Sequence, residues 1–142
     1  MDMAKKDFLK QVISRCKRAL KRFRAKRTKL IADAIKGKWQ IINIENGAPG
    51  AVDGSYIEFV DSRNGTTRFG DILADIDYCI SDCGKVEFSF YGDYKDQPAC
   101  GRGWVKISSI GELCGCMLVH KGNSSEFRAE KVSESKLPPL WT

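Results

Sequence analysis

The chain has 142 residues, 42% hydrophobic and 30% charged, with a formal net charge of +6. That composition fits one globular domain and is neither that of a disordered chain nor membrane-like. The longest apolar runs, such as "CMLV" and "LIADAI", fall far short of the roughly 18 residues that a membrane-spanning helix needs. The N-terminus is basic but has no continuous apolar stretch of the secretory kind, so a cytoplasmic protein is expected. In that setting the six cysteines read as reduced thiols used as small hydrophobes.

The charge is unevenly divided. Residues 1 to 38 hold fourteen Lys or Arg against three Asp, whereas residues 39 to 142 hold ten basic against fifteen acidic residues. Residues 1–36 are expected to form a basic amphipathic helical arm. No Pro or Gly interrupts Lys5 to Lys36, and Phe8, Leu9, Val12, Ile13, Cys16, Ala19, Leu20 and Phe23 recur at spacings of three and four, which is the signature of one apolar stripe. The stripe falters over "RAKRTK" and resumes at Leu30, Ile31, Ala34 and Ile35. Thr28 is a potential N-cap there and Gly37 a potential stop, leaving one long helix and two short ones both open.

After Gly37 the hydrophobic period becomes two and turn signals follow at short intervals. "KWQIINI", "SYIEFV", "TTRFGDILADIDYCI", "KVEFSFYG", "RGWVKIS", "ELCGCMLVH" and "SEFRAEKV" read as strands. The third is long enough to bend or break at Gly70 or Ala74, which gives seven or eight strands in all. In "KVEFSFYG", Val86, Phe88 and Phe90 take one face and Lys85, Glu87 and Ser89 the other. Successive short strands with no helix between them argue an antiparallel meander, and closure into a barrel removes its exposed edges. The fold class expected is mainly β: an antiparallel meander over residues 37–133, closed into a small barrel like that of lipocalins or streptavidin in outline. The helix is expected to plug an end or pack outside. Residues 134–142 are expected to form an extended tail in which Trp141 could serve as an anchor.

The elements "GKWQI", "RFGDI", "VEFSFYG", "GRGWVKI", "ELCG" and "HKGNSSEFRAE" occur in that order between Trp39 and Lys131. Together they resemble a small uncharacterised bacterial β-barrel domain family whose pattern includes "vEFSwxG", "GRGW", "LxG" and "HxGDxSxFxA". This chain departs from that pattern at Asn123, where the family has Asp. The resemblance implies a compact barrel and no established activity, and it leaves the basic arm outside.

The densest chemistry lies in "CGRGWVKISSIGELCGCMLVHKG", which holds three cysteines and the single histidine. Cys114, Cys116 and His120 share one strand face, and Cys100, or Cys79 with Cys83, is available as a fourth ligand. Structural zinc favours C-x2-C or C-x4-C knuckles on tight turns. A C-x-C on an extended strand serves that geometry poorly, so no metal site and no cofactor are assigned. Cys116 and His120 lie about 13 Å apart along a straight strand, at roughly 3.3 Å per residue, too far for a nucleophile and its base. Cys100 on a neighbouring strand is left as a partner for His120, against a histidine that simply caps a turn. Asp71, Asp75 and Asp77 share parity and could hold a cation or act as acid and base. The competing reading makes them the solvated side of a strand whose apolar side is Ile72, Ala74, Ile76, Tyr78 and Ile80. "GRGW" lacks the spacing of a phosphate loop. Its glycines suit a bulge, a barrel corner or room for a neighbouring aromatic.

Two binding surfaces follow. A non-enzymatic binding or interaction module built on the barrel is the first expectation, with Trp39, Phe69, Phe88, Phe90, Arg102, Trp104 and His120 as ligand candidates. The alternative is nucleic-acid or anionic-surface binding through Arg15, Lys17, Arg18, Lys21, Arg22, Arg24, Lys26 and Arg27. Their stretch "RCKRALKRFRAKRTK" carries nine basic residues in fifteen and no acid. The same stripe could instead dock on the barrel or pair with a second copy. An enzyme ranks third, and neither ligand nor partner is named by the sequence.

Overall fold

A computed structural model describes residues 2–47 and 50–132, with side chains from residue 4 onward; the C-terminal tail, including Trp141, lies outside the described residues. The arm is one uninterrupted helix, α1 (Asp2–Ile35). Thr28 sits inside it, so the polar stretch that broke the apolar stripe does not break the backbone. Ala, Leu, Lys and Arg are all good helix formers, and nothing there competes for the main-chain hydrogen bonds. Termination comes at Gly37, whose φ of 117° is a conformation that favours glycine.

Eight strands follow: β1 (Gly37–Ile44), β2 (Tyr56–Phe59), β3 (Asn64–Phe69), β4 (Ile72–Ile80), β5 (Val86–Tyr94), β6 (Gln97–Ile107), β7 (Leu113–Val119) and β8 (Ser124–Lys131). They form a closed barrel in sequence order. Each strand is antiparallel to its neighbours, and β8 returns to pair with β1. The long segment that was expected to bend or break does so at Gly70, between β3 and β4. Gly70 N donates to Ser55 Oγ at 3.0 Å, and Ser55 Oγ in turn donates to Ala51 O at 2.6 Å. This buried serine thereby ties the β3–β4 turn to the loop before β2.

Alternation sorts the side chains. On β4, Ile72, Ala74, Ile76 and Tyr78 face inward and are buried, while Leu73, Asp75, Asp77 and Cys79 face water. On β5, Val86, Phe88 and Phe90 face inward and Glu87 and Ser89 outward, as the sequence indicates. An eight-stranded barrel has an interior just wide enough for side chains to fill. Here Trp39, Phe59, Phe69, Tyr78, Phe88, Phe90, Met117 and Phe127 do so, each no more than 8% exposed. Edge-to-face contacts join Phe59 to Tyr78 and Phe69 to Phe127. Each fully buried large apolar side chain contributes about 1.5–3 kcal/mol.

The glycines of "GRGW" belong to this packing. Gly101 stands opposite Phe90 and Gly103 opposite Phe88. A Cβ built on Gly103 would lie 2.4 Å from Phe88 Cζ, and one on Gly101 2.7 Å from Phe90 Cζ. The two phenyl rings lie across the glycines and occupy the space their side chains would take, an arrangement that also covers the weak points glycine leaves in a strand.

Among the described residues the helix meets the barrel through its last turns. Ile35 is fully buried in the core cluster, and Ile31 packs partly against it. Two of the carbonyls that a helix end leaves free are satisfied from the barrel. Trp39 Nε1 donates to Ile35 O at 2.8 Å, and Lys131 Nζ, from β8, donates to Ala34 O at 2.8 Å. The lysine also brings positive charge to the negative end of the helix dipole. Further up, Arg27 Nη2 donates to Cys83 O at 2.8 Å, over the β4–β5 turn at Gly84.

Candidate functional site

All side chains from Ala4 to Arg27 are exposed. Among the described residues nothing outside α1 covers its apolar stripe: Phe8 is 66% exposed, Leu9 57%, Ile13 52%, Leu20 49% and Phe23 64%. At 1.5 Å per residue the 34-residue helix is about 51 Å long, most of it free of the barrel. With 3.6 residues per turn, Phe8, Leu9, Val12, Ile13, Cys16, Ala19, Leu20 and Phe23 fall in an arc of roughly 140°. The remaining arc carries most of the charge; Lys5, one turn before the stripe begins, and Arg27, at the joint, fall within its angular range. Lys6, Lys17 and Arg24 lie along one margin of the stripe, and Arg15, Arg22 and Lys26 along the other.

Seven of the eight basic candidates, Arg15, Lys17, Arg18, Lys21, Arg22, Arg24 and Lys26, stand on this free part of the helix; Arg27 is the exception, engaged at the joint. Lys6 and Lys10 extend the same exposed surface toward the N-terminus. The signal for including them was the absence of any helix breaker before Arg15.

The seven ligand candidates on the barrel divide. Trp39, Phe69, Phe88 and Phe90 are parts of the packed interior. Arg102, Trp104 and His120 lie on the outer wall. Trp104 is half-buried there, with Lys85 Nζ 4.5 Å from its ring centroid. It borders an open depression of about 650 Å³ that Arg102, Glu87, Asp77 and Arg63 also line. A neighbouring depression of about 700 Å³ is shared by Arg102, Cys100 and His120. The structure therefore brings the three outer candidates near one another and separates them from the four aromatics by the thickness of the sheet. Both depressions are shallow troughs in the wall, unlike the enclosing pockets that hold small molecules.

The thiols are dispersed. Cys114 and Cys116 point outward from β7, and Cys16, Cys79, Cys83 and Cys100 are exposed on other elements. Among the described residues no group of three or more His, Cys, Asp or Glu side chains is placed to hold a metal ion. His120 N donates to Cys100 O at 2.8 Å, which makes the two residues cross-strand neighbours. No side-chain hydrogen bond joins them among those found in the described residues. Asp75 and Asp77 are the solvated face of β4, and Asp71 in the preceding turn pairs with Lys95 at 3.6 Å.

Four side chains have shifted acidity; burial, followed by the charge of Asp61, raises the hydroxyl of Tyr78. The Ser81 hydroxyl, 3.1 Å from Cys83 Sγ, together with the turn backbone lowers the thiol of Cys83. Burial, reinforced by the charge of Glu126, raises that of Cys116. Asp61 accepts backbone hydrogen bonds from Arg63 at 2.9 Å and Asn64 at 2.8 Å, which hold its carboxyl below the ordinary value. Asp61, Tyr78, Cys83 and Cys116 lie on different strands and turns of the barrel. Set against protein-family models, curated proteins and solved structures, the chain matches none of them.

Proposed function

We propose that this protein is a non-enzymatic binding module whose ligand is a polyanion, held by α1, with the barrel as its rigid mount. The observation that supports it is the helix itself: its basic residues from Lys5 to Lys29 are exposed, and among the described residues its anchorage is at its C-terminal end. In proteins most helical stability comes from the packing of an amphipathic face, and over most of α1 that face is exposed among the described residues. Both its exposed apolar surface and its crowded positive charge favour a complement. The barrel interior is already filled by the aromatics that were candidates for a small ligand, and that is why binding is assigned to the helix. A cytoplasmic location, expected from the sequence, is part of this proposal.

Fluorescence anisotropy with labelled heparin, a polyanion that carries no base sequence and no acyl chain, tests it. Lys17→Glu, Arg18→Glu, Lys21→Glu and Arg22→Glu combined in the full chain should weaken binding at least a hundredfold at low salt. They should also flatten the log affinity against log salt slope by about four, near one per lost contact. Lys121→Glu on the barrel should leave both unchanged. Equal affinity and slope for the four-site variant and the wild type would sink the proposal.

A further inference from the structure

Resting on that reading, we infer that the polyanion is the surface of an anionic lipid bilayer, on which residues 8–26 lie flat with the apolar stripe inserted. Charge alone does not choose between a membrane and a nucleic acid; the stripe does. A helix held by nucleic-acid phosphates would use its basic side chains and leave Phe8, Leu9, Ile13, Leu20 and Phe23, each at least 49% exposed, in water. A bilayer surface takes both faces at once. The apolar arc enters the boundary between headgroups and acyl chains, and long basic side chains at its margins reach back to the phosphates. The two margins carry the residues this needs: Lys6, Lys17 and Arg24 on one side, Arg15, Arg22 and Lys26 on the other, all exposed.

A second copy of the chain is a poorer complement. Leu9, Ile13, Cys16, Leu20, Phe23 and Leu30 follow a heptad spacing, but Arg27 interrupts it. Lys10, Lys17, Arg24 and Lys26 flank it with charge of one sign, so two such helices would repel along their seam. Lying in the surface is also distinct from crossing it: no described helix is long and apolar enough to span a membrane. Ten basic against fifteen acidic residues in positions 39 to 142 would hold the barrel off the same anionic surface, leaving the helix as the contact.

The full chain is mixed with vesicles of phosphatidylcholine alone, with vesicles containing phosphatidylglycerol, and separately with mixed-sequence duplex DNA and single-stranded RNA; labelled heparin reports the underlying charge reading. Binding to phosphatidylglycerol vesicles with at least tenfold preference over phosphatidylcholine is expected. Leu9→Gln, Ile13→Gln and Phe23→Gln combined, at positions that touch nothing in the barrel, should lose at least tenfold on the charged vesicles while heparin affinity stays within about twofold. Vesicle binding unaffected by these three changes would overturn insertion of the stripe. Tight binding to DNA or RNA with none to charged vesicles would overturn the membrane as ligand while keeping the polyanion reading. A concentration-dependent dimer abolished by the same changes, with no vesicle binding, would assign the stripe to a second copy. Failure on heparin as well would remove the charge reading beneath it.

Discussion

The barrel and the helix solve the same problem in opposite ways. Eight strands close on themselves, so every strand edge is paired and the inward residues, from Ala129 at 0% to Ala99 at 9% exposure, are covered by one another. The helix satisfies its own backbone but, among the described residues, leaves its apolar stripe from Phe8 to Phe23 in solvent. A sheet needs its neighbours to exist at all, whereas a helix forms its hydrogen bonds locally and can defer the burial of its side chains. Stability should therefore be concentrated in the barrel, and adaptability to a partner in the arm.

The sharpest way to break that contrast is to truncate one phenylalanine in each region. Phe88→Ala should cost about 3–5 kcal/mol in urea unfolding followed by a barrel signal, through lost transfer energy and a cavity over Gly103. Phe23→Ala, 64% exposed in the wild type, should change the same measurement by less than about 0.5 kcal/mol. Comparable losses at the two sites would mean that the helix stripe is packed in solution. A smaller effect is expected at the joint. Trp39→Phe leaves the buried Ile35 carbonyl without its donor, at a cost of about 1–3 kcal/mol. Amide exchange should quicken about tenfold or more over the last two turns of α1, with strand protection much less affected. Uniform quickening would show that helix and barrel open as one unit.

The smallest effect is electrostatic. Asp61 is favoured in its charged form by its turn hydrogen bonds, so its folded value lies below that of an ordinary aspartate. Its contribution is complete above the unfolded value and is lost as pH falls through the lower folded one. The stability gap between wild type and Asp61→Ala should consequently be steady from pH 7 to 5 and shrink below about pH 4. A gap that persists unchanged to pH 2 would assign Asp61 a role independent of its ionisation.

Much of this architecture was legible because the barrel depends on alternation, a property of neighbouring residues. "KVEFSFYG" announces its buried face, and "DILADIDY" its solvated one. The break at Gly70 was one of two legible alternatives. The continuity of α1 was less clear, because a polar interruption in the stripe looks like a boundary when the side chains alone are counted. At "GRGW" alternation shows that Arg102 and Trp104 share a face but not which face. The usual preference would put the large aromatic inside. Phe88 and Phe90 already fill that volume, so the glycines face the core and Trp104 turns outward under Lys85.

The sequence by itself determined the period of each segment, the division into a basic arm and an acidic body, and the expectation of a closed antiparallel sheet, since these rest on local spacing and composition. Only the tertiary structure decided which side of each strand is interior, that the aromatic candidates are core, and that the helix is anchored by Trp39, Lys131 and Arg27 while its stripe stays open. Those outcomes depend on contacts between residues far apart in the chain, such as Lys131 with Ala34, for which no local pattern carries a signal.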